Sequence, residues 1–295
     1  MVRFAILLCL CAGPALAQLL EDGQNRREIP FQLVDGKALL SVTVAGREGM
    51  LMVDNGTPEA VMFNRDAVDL APGPEVGRGN AASGQAVVVM LHQAPAMTLA
   101  GQDFALPERV VSGDLGFVEA GFGPDFLGFL GTPALEGDPF VLDFQRLRLI
   151  VIRAGHLDLA PEDVRGRLVF SIWPGEQPTS VAQIGASAVL LDFDTGDDGT
   201  FYLQDETLAV LVAAGHLTGG PERYELSGLR IAGVDFAPTP VRVIKAGGPL
   251  DFRRSGPSDF LRLGAAFLAA NPVLWNFADH QLVFLAPEAT VLAGQ

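Results

Sequence analysis

The chain states one pattern twice, and that repetition constrains its fold more than any other feature. Residues 51–57 read L-M-V-D-N-G-T and residues 190–196 read L-L-D-F-D-T-G. Each copy is an apolar run that ends in Asp-x-Gly, with Asp54 in the first and Asp194 in the second, 140 residues further on. A later pattern recurs as well: G-T-P-A-L-E-G-D-P-F-V-L-D-F starts at Gly131, and G-A-A-F-L-A-A-N-P-V-L-W-N-F starts at Gly264. In both, Leu stands four residues after the Gly (Leu135, Leu268) and Pro eight after it (Pro139, Pro272). Asp143 or Asn276 follows at the twelfth place, each with Phe behind it. A chain made of two such copies can bring one Asp from each half to a common axis.

Leu, Val, Phe and Gly dominate, and turn residues recur at short intervals, which predicts many short strands. Phe31–Val34 and Ala38–Val44 read as a hairpin around Asp35-Gly36. Gly49–Val53 reads as a strand that delivers Asp54 to its tip. Asn64–Leu70 reads as a short helix stopped by Pro72-Gly73, and Gly77–Gly84 as a loose polar loop. Ala86–Leu91 with Ala96–Leu99 suggests a hairpin, and Phe140–Ile152 is strand-like. Residues 154–167 are polar and contain Pro161, so the lobe junction is expected there, with a first lobe over 18–153 and a second over 168–295. The second lobe repeats the plan: Leu168–Trp173, Val181–Ile184 and Ala188–Phe193 lead into Asp194, and Asp205–Ala214 reads as a helix stopped by Gly215.

Residues 1–17 have the form of a signal peptide: Arg3, an apolar run from Phe4 to Ala12, and Ala15-Leu16-Ala17 as the cleavage signal. The expectation is an exported protein, periplasmic or secreted, without membrane insertion. Cys9 and Cys11 both fall in this segment, so no disulfide is expected afterwards. The formal net charge of −15 argues against nucleic acid as a partner, because nothing neutralises phosphates. No P-loop or G-x-S-x-G is present, and the four histidines (His92, His156, His216, His280) lack ligand spacing and read as surface or turn residues. No metal site or cofactor is expected. Trp173 and Trp275 read as core fillers.

Two carboxyls a few ångströms apart cannot both ionise, so one holds a proton that the other has released. Such a pair can activate a water with one member and protonate a carbonyl oxygen with the other. The paired motifs resemble those of the pepsin/retropepsin-like aspartic proteases, in particular the short bacterial exported ones, over most of residues 31–286. Asp194-Thr195-Gly196 matches that motif in full, and Phe129-Leu130-Gly131 and Leu261-Arg262-Leu263-Gly264 are similar to its apolar-Gly segments.

The resemblance implies a mostly-β bilobal acid-protease fold with pseudo-twofold symmetry and short helices. It implies Asp54 and Asp194 as the catalytic pair of an endopeptidase acting on extended peptides. Asn55, Gly56, Thr57, Thr195 and Gly196 would support the loops, and Gly131 and Gly264 would thread behind them. A monomer suffices, because both halves lie in one chain. The segment Gly77–Leu91 falls where a flap would close.

The sequence departs from the family at Asn55, where Thr or Ser is usual; at Asp197, whose charge is expected to raise the proton affinity of the pair; and at Arg262. The candidate flap lacks Tyr. Two other readings of the site stand beside the enzyme, and a structural envelope protein with no ligand is a third. One is a catalytically inactive protease-fold peptide-binding module of the cell envelope. The other is a calcium loop through Asp192, Asp194, Asp197, Asp198 and Asp205, which Gly196 at the third place and the lack of a preceding helix argue against.

Overall fold

The computed structural model describes residues 19–81, 85–172, 178–251 and 259–293. The signal-peptide segment, Trp173 and residues 82–84 of the expected loop lie outside them. The protein is mostly β and bilobal. In the first lobe, strands Arg26–Val34, Lys37–Val44 and Arg47–Val53 form an antiparallel meander, paired at Leu33↔Ala38 and Leu40↔Leu51. Its two-residue turns place both central residues at positive φ: Asp35 at 47° and Gly36 at 74°, then Ala45 at 50° and Gly46 at 82°. Turns of this hand match the twist of the strands they join.

The third strand of the meander ends at Asp54. Strand Phe126–Leu130 lies parallel beside it (Leu130↔Val53) and antiparallel to Val61–Asn64 (Leu130↔Val61). The second lobe repeats this arrangement. Strand Pro178–Ile184 pairs with Ser187–Asp194 at Ala182↔Val189. Phe260–Gly264 then lies parallel to Ser187–Asp194 (Leu263↔Phe193) and antiparallel to Thr200–Leu203 (Leu261↔Phe201). Each Asp loop therefore bridges two strands that a third strand joins from behind.

The lobes share a seam. Hairpin Phe140–Asp143/Arg148–Ile152 meets hairpin Val273–Asn276/Gln281–Leu285 edge to edge, through Phe140↔Trp275 and Val141↔Leu274. Arg26–Val34 and Val164–Val169 flank the two hairpins on the outside. Trp275, 1% exposed, stacks on Phe140 at 5.9 Å between ring centroids and meets Phe193 edge-on at 5.8 Å. Phe193 immediately precedes Asp194, so aromatic packing in the seam fixes the root of the second loop.

Several local expectations need correction. Asn64–Leu70 is one turn rather than a helix: the Asn64 carbonyl accepts the N–H of Ala67 and Val68, and its side chain accepts that of Asp66. Such local side-chain bonds compete with helix continuation. The hairpin is Glu75–Asn80 with Ala86–Gln93, so part of the expected loose loop is strand, while Met97–Leu99 pairs with Lys37–Val44 instead. His92 is buried, its ring held between the Ala71 carbonyl at 2.7 Å and the Ser112 hydroxyl at 2.8 Å. Helix Asp205–Ala213 is present, with Gln204 at the N-cap position making no side-chain cap bond. Short helices at Gly116–Phe122 and Ala265–Ala270 had no periodicity to announce them. Strand Val164–Val169 starts within the stretch expected as linker. Among the described residues, no helix is long and apolar enough to cross a membrane.

Candidate active site

The tips of the two Asp loops meet and exchange hydrogen bonds in a reciprocal pattern. The Asn55 N–H donates to Thr195 Oγ1 at 3.1 Å, and the Thr195 N–H donates to Asn55 Oδ1 at 2.7 Å. Asn55 Nδ2 donates to the Phe193 carbonyl at 2.8 Å, and Thr195 Oγ1 donates to the Val53 carbonyl at 2.8 Å. Each middle residue thus accepts from the opposite backbone and donates to the carbonyl just before the opposite Asp. A side-chain amide carries both donors and an acceptor, so Asn55 fills the role that the hydroxyl of Thr195 fills in the other copy. Both residues are buried, at 2% exposure each, where an unmade hydrogen bond costs most.

Behind the loops, Gly131 and Gly264 are required by close approach. A Cβ on Gly131 would sit 2.1 Å from the Glu59 carbonyl oxygen, and one on Gly264 would sit 2.2 Å from that of Asp197. Gly56 and Gly196 do not have positive φ. Gly196 is needed for space instead: a Cβ there would lie 2.7 Å from Asp54 Oδ1. The carboxyl of the first loop is thus packed against the backbone of the second.

The Asp54 and Asp194 carboxyls act directly on one another, by charge and, when one is protonated, by a side-chain hydrogen bond. Asp54 Oδ1 accepts the Gly56 N–H at 2.8 Å and Oδ2 accepts the Thr57 hydroxyl at 2.9 Å. Asp194 Oδ1 accepts the Gly196 N–H at 2.9 Å. Burial, followed by the charge of Asp194, pushes the Asp54 carboxyl up to about 7, against the smaller opposing pull of Thr57 and Gly56. One proton on this pair near neutral pH is the consequence.

Around Asp194 the second lobe differs. Arg262 clasps Asp192, with Nη2 at 2.7 Å from Oδ2 and Nε at 3.1 Å from Oδ1, while Nη1 lies 3.2 Å from Asp194 Oδ2. Burial pulls the guanidinium down, yet Asp192 and Asp194 hold it well above its ordinary value. Burial raises Asp192 to about 6 against the opposing pull of Arg262. The two-point contact fits an ionised pair at neutral pH.

Asp197 stands where Thr57 stands in the first copy, but its carboxylate accepts the Gly199 N–H at 2.7 Å and the Thr200 hydroxyl at 3.0 Å. Asp198 pairs across the lobes with Lys37, and Asp205 with Lys245 at 2.8 Å. The acids of the candidate calcium loop therefore all have protein partners, Asp192 and Asp194 sharing Arg262. No group of three or more His, Cys, Asp or Glu among the described residues is arranged to hold a metal.

The pair lies on the floor of a cleft of about 1170 Å³ between the lobes. Met52, Met62, Val111, Phe117 and Phe129 line its first-lobe side, and Thr200, Tyr202, Arg242 and Arg262 its second-lobe side. Hairpin Glu75–Asn80/Ala86–Gln93 contributes Gly77, Arg78, Gly79, Val87 and Val89 to the wall. Local sequence patterns missed three contributors: Asp192 as the partner of Arg262, Lys37, and Thr132, whose hydroxyl donates to the Asn55 carbonyl at 2.8 Å. A lone Arg inside an apolar segment was the one signal that pointed to the first of them.

No protein-family model matches the sequence, and no curated protein matches it. Among solved structures, the chain is similar to basic 7S globulin from soybean, with a TM-score of 0.53 and 11% sequence identity over 88% of this chain and 95% of that one. A likeness at that identity speaks for the fold alone. The resemblance to the pepsin/retropepsin-like aspartic proteases is corrected by these findings: the motifs it rested on are short, no family model supports it, and the fold match is to a protein described as a globulin. What the chain shares with a protein of known structure is a mostly-β bilobal fold.

Proposed function

We propose that this protein is an aspartic-type endopeptidase that hydrolyses peptide bonds with a water activated between Asp54 and Asp194. The observation that supports the reading most is the hydrogen-bonded contact of the two carboxyls at the cleft floor, with the two loop tips locked by Asn55 and Thr195. In the proposed reaction, ionised Asp194 takes a proton from water as the water oxygen bonds to the carbonyl carbon. Protonated Asp54 gives its proton to the carbonyl oxygen, and a gem-diol forms. The C–N bond then breaks: the departing amine nitrogen takes the proton from Asp194, and Asp54 recovers one from a diol hydroxyl as the carboxylic acid product forms. Protons balance over the cycle.

The correspondence of the loop bonds at an offset of 140 residues supports relating the lobes by a pseudo-twofold rotation. The expected export signal supports a substrate outside the cytoplasm, and a single chain supplies both carboxyls.

One observation favours a second reading, a cleft that grips extended peptides without cleaving them: the Arg262 guanidinium engages Asp194, and an ion-paired carboxylate is a weaker base. Asp194→Asn decides between them. Loss of cleavage of a mixed peptide library with the fold intact is the expected result. Equal cleavage by parent and variant would overturn the mechanism, and peptide binding without cleavage by the parent would favour the second reading.

A further inference from the structure

The strands behind the two Asp loops differ at one register position. In the first lobe the parallel cross-strand pair is apolar, Met52 against Phe129; in the second lobe the corresponding pair is Asp192 against Arg262. A buried ion pair gives up two hydration shells and is often no better for stability than well-packed apolar residues. The first lobe uses the apolar solution at this very place. The pair in the second lobe also reaches further than packing requires. Asp192, 1% exposed, holds one edge of the guanidinium, and the remaining nitrogen, Nη1, lies 3.2 Å from Asp194 Oδ2. On the other side of the dyad, the outer oxygen of Asp54 meets a neutral hydroxyl, that of Thr57, at 2.9 Å. One carboxyl of the pair thus faces a cation and the other a neutral donor.

We propose that Arg262, held by Asp192, is a positioning residue that makes the two carboxyls unequal, keeping the negative charge on Asp194 and the shared proton on Asp54. The assignment of Asp194 as base and Asp54 as acid rests on the hydrolytic reading above; the placement of charge and proton does not. The charged and titratable groups facing the guanidinium are Asp192 and Asp194 from their own strand, Asp197 from the loop beyond it and Tyr202 from the neighbouring strand, with Arg242 acting on Tyr202 from the strand after that. Of these, Asp192 lies 2.7 Å and Asp194 3.2 Å from the guanidinium nitrogens.

The test is the titration of the Asp carboxyl carbons by NMR in full-length protein carrying ¹³C-labelled Asp, with the dyad signals assigned by Asp54→Asn. The double variant Asp192→Met/Arg262→Phe copies the first-lobe pair. It should raise the lower apparent titration step of the dyad, by less than the about 1–3 pH units typical of an unaccompanied opposite charge, because the Asp192 anion leaves with the cation. Asp192→Asn leaves the cation and removes its competing anion, so that step should move the opposite way. Arg262→Lys should stay nearer the parent than the double variant does. A pair that only fills space predicts no change in any of them, and unmoved titration in the folded variants overturns the proposal. If the double variant does not fold, Arg262→Gln, which removes the cation and leaves Asp192 in place, is titrated instead and should raise the same step. Cleavage by the parent with unmoved steps would sink the positioning role and leave the hydrolytic reading standing. Moved steps in a protein that cleaves nothing would do the reverse.

Discussion

Asp54→Asn is expected to stabilise the folded protein at neutral pH and to do little in acid. The Asp54 carboxyl is raised from 3.8 to about 7, first by burial and then by the charge of Asp194. Between those values the unfolded chain releases the proton while the folded state still holds it. Folding stability therefore falls as pH rises through that window, and the loss is complete above about pH 7. A tenfold change in proton affinity is worth ~1.4 kcal/mol, so a rise of this size sets a ceiling of ~4 kcal/mol, part of which belongs to Asp194, whose charge helps to hold the proton. Asn imitates the protonated acid: its oxygen can accept from Gly56 or Thr57, and its amide can donate to Asp194. Urea unfolding of parent and variant at pH 4 and pH 8 measures the difference. The expected gain is near zero at pH 4 and up to about 4 kcal/mol at pH 8. A gain of the same size at both pH values, or one that is larger in acid, would refute the reasoning.

Three further outcomes follow from the loop geometry. Asn55→Ala removes its side-chain bonds to the Thr195 N–H and the Phe193 carbonyl, and should lower stability by about 1–3 kcal/mol per buried group left unpaired, measured by thermal unfolding. Asn55→Thr should recover part of that loss, because a hydroxyl can both accept and donate, as Thr195 does. Gly264→Ala should cost about 1–3 kcal/mol or prevent folding, since the new methyl meets the Asp197 carbonyl at 2.2 Å; an unchanged melting temperature would contradict the threaded arrangement.

What could be read from the sequence were the positions where chemistry or space leaves no choice of residue. Asp54 and Asp194 were legible because each closes an apolar run with an Asp-x-Gly turn. Gly131 and Gly264 were legible because backbone passes within van der Waals distance of where a side chain would be. The first-lobe hairpin was legible because Asp-Gly between apolar runs specifies the turn it makes. Strand Glu75–Asn80 was not, since its Gly and Arg have little strand preference and it is held by pairing to the apolar strand opposite. The turn at Asn64 reads as a helix because periodicity ignores a side chain that bonds its own backbone. Arg262 registers only as an interruption, for its partner Asp192 lies 70 residues away and no local pattern links them. The family resemblance failed for a related reason. A tripeptide and its spacing report the local chemistry of a loop, and chemistry can recur without common descent.

The central claim is that Asp54 and Asp194 together direct water to a peptide carbonyl. Its most direct test incubates the protein with a mixed peptide library in ¹⁸O-water, from acidic to neutral pH, and follows products by mass spectrometry. Cleaved peptides whose new C-terminal carboxylate carries ¹⁸O are expected, with products lost in both Asp54→Asn and Asp194→Asn while both variants remain folded. Peptides left intact by the parent across that range, or labelled products that persist in either folded variant, would contradict it.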